Sequence, residues 1–193
     1  MRFTQSIRQK SWRFLAAGVA TLLTAALLSP APAQAGEAVG DVGPLSVSQG
    51  YIAGSSTVTD DFGDEGTLRR GNSYAYTTAV ALWQSILYAE GYISESGIDC
   101  SFGSGTEAAT KKFQTRYGLG ADGVVGTNTW SRADNRLSLV PGDSTQDLVY
   151  YTALDGTQVP FLRDKSGGIY WVRVSPYKWA SAAYFKADST CGS

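Results

Sequence analysis

The groups able to do chemistry in this chain of 193 residues are carboxylates, amides, hydroxyls, lysine amines and two thiols, because the sequence contains no histidine. Imidazole is the usual general base near neutral pH and the commonest metal ligand. Its absence excludes Ser/His/Asp triads, Cys/His pairs and His-built zinc sites, so neither a metal nor a cofactor is expected. Glycoside hydrolysis needs only two carboxylates, about 5 to 9.5 Å apart across a cleft. Glu90, Glu95, Glu107 and Asp147 could supply them, but none stands in a recognisable catalytic context. The expectation is a protein that binds rather than catalyses.

Asp99 and Asp122 each precede a tight glycine-containing loop. A short carboxylate in that position accepts hydrogen bonds from nearby backbone N–H groups, so both are read first as loop-stabilising Asx turns. Cys100 and Cys191 are the only cysteines. In an oxidising compartment they are expected to pair, and a loop that long is worth at most about 4 to 5 kcal/mol in the chain-entropy model. The bond would bring the C-terminal segment beside the loop that follows Asp99, either completing a site there or covering it.

The elements that must position these groups begin after an export signal, read at residues 1–35. Arg2, Arg8, Lys10 and Arg13 form a basic start, Phe14 to Leu28 an apolar core, and Ala33-Gln34-Ala35 a small-x-small cleavage site. The apolar run is about 15 residues, shorter than the roughly 20 that span a bilayer. Its basic part has no adjacent arginine pair, which favours general secretion. The whole chain carries a net charge of -1, but the signal holds four of the 16 basic residues and no acid, leaving 12 against 17. The exported part is therefore acidic. It lacks the basic stripe that nucleic acid or anionic lipid requires, and no contact with the membrane is expected after cleavage. The location expected is extracellular or on the cell wall.

Residues 36–71 form a Gly/Ser-rich leader with one or two weak strands, among them an alternation of Leu45, Val47 and Gln49. From Asn72 a helical spacing of Val80, Trp83, Ile86 and Leu87 runs to a stop at Gly91. Ser104 and Glu107 have the form of a capping box for a second helix through Ala109, Phe113 and Tyr117 to Gly118. Thr127 reads as the N-cap of a third, carrying Trp130. After Arg136 the period changes to two, with strands at Leu148–Ala153, Thr157–Leu162 and Gly168–Val174 and a two-residue turn at Asp155-Gly156. The fold class is α+β: three helices over 72–136, then an antiparallel β-rich extension over 137–193, tethered by the disulfide. Helices and strands use most of the exported residues, which leaves no room for a further catalytic domain of ordinary size.

Within residues 80–133 several short motifs stand in a fixed order: Val80-x-x-Trp83-Gln84-x-x-Leu87, Gly91-Tyr92, Ile98-Asp99-Cys100-Ser101-Phe102-Gly103-Ser104-Gly105-Thr106, then Ala109, Phe113-Gln114, Gly118-Leu119, Asp122-Gly123-Val124-Val125-Gly126 and Thr129-Trp130. This set resembles the family of small peptidoglycan-binding domains appended to bacterial cell-wall hydrolases and spore-cortex lytic enzymes. Trp83, Cys100 and Ser104 depart from the residues usual there, which are Leu, Gly and Pro. The resemblance implies a three-helix module that binds peptidoglycan, by its glycan or its stem peptide. Val80, Leu87, Phe113 and Trp130 are read as core, and Gly91, Gly103, Gly118, Gly123 and Gly126 as positions of positive φ or close backbone approach. Contact with ligand is assigned to the borders of the two loops: Tyr92, Phe102, Thr106, Asp122, Asn128 and Thr129. The extension carries Tyr150, Tyr151, Tyr170, Trp171, Tyr177, Trp179, Tyr184 and Phe185. These are read as the second half of the core; the alternative is a segment that contacts another cell-wall protein or inhibits an enzyme while the helical module holds it at the wall.

Overall fold

A computed structural model describes residues 48–54, 57–185 and 191. The export signal and the alternation at Leu45 and Val47 lie outside the described residues. Within residues 57–185 three α-helices, α1 (Thr78–Ala89), α2 (Ser104–Arg116) and α3 (Thr127–Asp134), precede an antiparallel sheet of five strands. The strands are β1 (Leu137–Val140), β2 (Gln146–Thr152), β3 (Gln158–Asp164), β4 (Tyr170–Ser175) and β5 (Lys178–Ser181), and they neighbour one another in sequence order. The fold is α+β, as expected, with two strands more than the three read from the sequence.

Helix α1 is the centre of the molecule. Every residue from Thr78 to Ala89 is buried except Tyr88, which is the pattern of a helix packed on all sides. It touches α2 on one side and β2, β3 and β4 on another. Thr77 caps its start, accepting from the Val80 N–H at 3.4 Å. Its end is a Schellman turn, with Gly91 at φ +73 and Tyr92 N–H donating to Leu87 O at 2.9 Å. Helix α2 ends identically at Gly118, where Leu119 N–H donates to Gln114 O at 2.8 Å.

A chain of edge-on aromatic contacts runs through the core. Phe113 meets Trp83 (5.0 Å between ring centroids), Trp83 meets Trp130 (5.4 Å), Trp130 meets Phe62 (5.4 Å) and Phe62 meets Tyr170 of β4 (5.0 Å). Trp83 therefore sits where all three helices join, and the leader's Phe62 links helices to sheet. Ile52 and Leu68 are fully buried beside it. Among its described residues the leader makes single bridges at Tyr51, Ala53 and Leu68 and one 3-10 turn, Val58–Asp60, rather than strands of its own. Val80, Leu87, Phe113 and Trp130 are all fully buried.

Three local expectations are corrected. The helix caps are Gly103 and Gly126, one residue earlier than Ser104 and Thr127, and no capping box forms because Glu107 instead pairs with Lys111 (2.8 Å) and Arg70 (3.3 Å). Gly103 (φ -83) and Gly126 (φ -108) accordingly lie in the extended region, not at positive φ. The turn after β2 holds three residues: Ala153 N–H donates to Thr157 O at 2.8 Å and only Gly156 has positive φ, which is a type I turn closed by a bulge.

The inward face of the sheet carries Val149, Tyr151, Val159, Phe161, Tyr170 and Val172, all buried. By strict alternation, Leu148, Tyr150, Leu162, Trp171 and Trp179 share the opposite face, where they are partly exposed. Tyr184 joins the core, whereas Tyr177 and Phe185 are exposed. Only part of the aromatic content of the extension is core.

Candidate functional site

Two loops of the helical region are tied by the same knot. In loop one, Gln84 of α1 is fully buried, and its Nε2 donates to Asp99 Oδ1 (2.7 Å), Ser101 O (3.0 Å) and Thr106 Oγ1 (3.0 Å). Its Oε1 accepts from the N–H groups of Asp99 (3.0 Å) and Cys100 (2.9 Å). Asp99 Oδ1 also accepts from Ser101 N–H (2.8 Å), the Asx turn expected from the sequence. In loop two, Gln114 of α2 donates to Asp122 Oδ1 (2.8 Å), Val124 O (2.8 Å) and Thr129 Oγ1 (3.1 Å), and accepts from Gly123 N–H (2.8 Å). Asp122 Oδ1 accepts from Val124 N–H (2.8 Å). Residue for residue, Asp99, Cys100, Ser101 and Thr106 correspond to Asp122, Gly123, Val124 and Thr129. A buried amide satisfied on both its oxygen and its nitrogen fixes loop backbone at little net cost, whereas an unsatisfied one would be expensive.

The loops are neighbours, because loop one leads into α2 and Gly123 of loop two lies against the first turns of that helix. A Cβ on Gly123 would stand 2.8 Å from both Glu107 Cγ and Lys111 Cε, and its φ is +81. The equivalent residue in loop one is Cys100, at φ +60 the one non-glycine residue of positive φ among those described. It is bonded to Cys191, with the two Cα atoms 5.6 Å apart. The expected disulfide is therefore present.

The knots decide which of the expected ligand contacts can face a ligand. Phe102, Thr106 and Thr129 are buried, and both threonine hydroxyls are engaged inside the knots, Thr106 Oγ1 donating to Ser101 O (3.1 Å) and Thr129 Oγ1 to Val124 O (3.3 Å). These three hold the loops and face inward. Tyr92 and Asp122 are partly exposed and Asn128 is exposed. Burial and the nearby Glu90 carboxylate raise the Tyr92 phenol above its usual range, so it stays a neutral donor. Asp122 and Asn128 flank the start of α3, where a ligand would meet a carboxylate and a primary amide.

A second group of polar contacts was not legible in the sequence. Three tyrosines from the C-terminal segment donate to buried carboxylates: Tyr151 to Glu90 (2.5 Å), Tyr170 to Asp61 (2.5 Å) and Tyr184 to Glu65 (2.6 Å). Tyr117 of the helical region also donates to Glu90 (2.6 Å), and burial with that bond pushes its phenol up to about 12. Arg163 Nε lies 2.9 Å from Asp61 Oδ2. Burial raises the Asp134 carboxyl to about 7, against the lowering effect of N–H groups from Phe62 and Asp61. These bonds sew sheet to helices and leader. They occupy Glu90, and Asp147 is likewise held by Lys165 (3.1 Å) and Gly142 N–H (3.0 Å).

The sequence also contains Ser175-Pro176-Tyr177-Lys178, the S-x-x-K form used in serine–lysine chemistry. It falls on the turn joining β4 to β5, where Ser175 and Lys178 are cross-strand partners. Among the described residues no group of three or more His, Cys, Asp or Glu could hold a metal ion, and no helix is long and apolar enough to cross a membrane.

Residues 77–132 match the family described as "Putative peptidoglycan binding domain". A protein of Kitasatospora aureofaciens described as "Uncharacterized protein in bpoA1 3'region" is 33% identical over 127 residues, which are 65% of this chain and 93% of that protein. The zinc D-Ala-D-Ala carboxypeptidase of Streptomyces albus G is 33% identical over 115 residues, 58% of this chain and 41% of the enzyme, so less than half of that enzyme is matched. No solved structure matches. Both knots, and every residue expected to border the loops, fall inside the matched segment.

Proposed function

Through residues 77–132 the chain belongs to the peptidoglycan-binding domain family, and from that membership we propose that it is an exported, non-catalytic protein of the bacterial cell wall whose activity is binding. The observation that carries the proposal is the pair of loops, each fixed by a buried glutamine before any ligand arrives. Preorganised loops spend little affinity on ordering, which suits recognition of a repetitive polymer. Tyr92, Asp122 and Asn128 at their borders offer an aromatic face and neutral or acidic hydrogen-bonding groups to sugar or peptide.

The absence of catalysis is supported by the engagement of Glu90, Glu107 and Asp147 in hydrogen bonds and ion pairs. The carboxypeptidase relative is named for zinc, and this chain has no histidine and ties both cysteines in a disulfide. Export is supported by the signal-like residues 1–35 and by that disulfide.

Sedimentation with purified insoluble peptidoglycan tests the binding: at moderate salt the protein should pellet with the polymer, and protein left in the supernatant defeats the proposal. The same tubes test catalysis. Soluble muropeptides or new reducing ends, abolished by Ser175→Ala or by loss of a carboxylate, would establish an enzyme instead.

A further inference from the structure

The sheet is not closed between β3 and β4. The two strands pair only at Leu162↔Trp171 and Arg163↔Tyr170, although β3 begins at Gln158 and β4 continues to Ser175. Asp164 N–H donates to Ile169 O at 3.0 Å, so by antiparallel alternation the next hydrogen-bonded pairs fall at Leu162/Trp171 and then at Pro160/Arg173. Proline has no N–H to give. That pair can make at most one of its two bonds; the ladder ends before it, and the strands part around a cleft of about 590 Å³. Gln158 and Pro160 line one wall and Arg173 another, while Tyr88 of α1 and the turn at Glu95 form the third.

The same alternation fixes which backbone groups look into the split. Ala153 N–H bonds Thr157 O on the β2 side, so Gln158 and Pro160 face β4; Ala182 N–H bonds Tyr170 O on the β5 side, so Arg173 faces β3. Two open strand edges thus confront each other, the arrangement that takes up an extended peptide by main-chain hydrogen bonds. The walls also carry one charge of each sign. Glu95 and Arg173 are exposed and neither pairs with another described charge; Arg173 lies over the Trp179 ring at 5.3 Å. A short peptide with free carboxylates and a free amine complements both, whereas a neutral sugar chain would leave both unmatched. The volume lies in the range that a ligand of that size fills. The helical side of the cleft lies within residues 77–132 and the sheet side outside them.

We propose that this cleft binds the stem peptide of peptidoglycan, extended between β3 and β4 as an added strand. The inference rests on the peptidoglycan-binding reading above and adds the part of the polymer recognised. The test is calorimetric titration of the whole exported chain with a synthetic stem peptide of alternating L and D residues bearing one free side-chain amine. Saturable binding is expected, weakened about fivefold by Arg173→Gln and similarly by acetylation of the amine. Pro160→Val restores an N–H and should let the ladder close, lowering peptide affinity at least tenfold while leaving the unfolding temperature unchanged or higher. Peptide that fails to bind a protein that still sediments with whole peptidoglycan overturns the cleft proposal and spares the binding reading. Equal affinity in wild type, Arg173→Gln and Pro160→Val overturns it too, as does tighter binding of a peptide-free glycan fragment.

Discussion

Loop one and loop two share a buried glutamine, an Asx turn and a threonine clasp, and differ at the position of positive φ. Loop two uses Gly123, which adopts φ +81 without strain and leaves α2 room to approach. Loop one uses Cys100 at φ +60. A side chain in the left-handed region costs about 1 to 2 kcal/mol, so loop one accepts a local penalty and gains a covalent tether to Cys191. The difference teaches that the repeated motif specifies loop shape, while the odd position is free to serve the rest of the molecule. In loop one it anchors the C-terminal segment; in loop two it allows close packing.

Removing the tether should have the largest effect. Cys191→Ala, which leaves the loop sequence intact, should cost up to about 4 kcal/mol in urea unfolding, with reductant making no further difference. Cys100→Gly should be more stable than Cys100→Ala by about 1 kcal/mol, because the backbone penalty is relieved. Equal stabilities would break the comparison at its central point. Next come the knots. Gln84→Leu and Gln114→Leu should each cost about 3 kcal/mol by stranding buried N–H and C=O groups, and a near-neutral result for either would show that the two knots are not equivalent. Gly123→Ala should cost about 2 kcal/mol through φ and the close approach of Glu107 and Lys111, read by the shift in thermal midpoint. The smallest effect belongs to Ser104→Ala and Thr127→Ala, each under about 0.5 kcal/mol by the same assay, since neither residue caps its helix.

Much of the helical region was legible because its signals are local. Val80, Leu87, Phe113 and Trp130 follow the helical period, and Asp99 and Asp122 announce their turns within two residues. Thr106 and Thr129 sit in the same motifs but point inward, since a motif fixes spacing and not exposure. Caps were displaced by one residue because glycine competes with Ser and Thr at that position without advertising it. The tyrosine–carboxylate bonds were not legible at all: Tyr184 and Glu65 are far apart in sequence and meet only through the tertiary fold. Strands β1 and β5 were missed because four residues each, Leu137–Val140 and Lys178–Ser181, carry too little pattern to stand out. The leader's share of the core is hard to read for a related reason, its buried Phe62 and Leu68 each standing alone without apolar neighbours.

The central claim is that binding of peptidoglycan is carried by the family module and its twin loops. Mapping amide chemical shifts of residues 36–193 on addition of soluble peptidoglycan fragments tests it most directly. The account predicts saturable shifts at Tyr92, Asp122, Asn128 and neighbouring loop amides, joined by shifts at Gln158 and Arg173 where the fragment carries the stem peptide. An absence of shifts at saturating fragment, or shifts confined to the outer sheet face of Tyr150, Trp171 and Trp179, would contradict it.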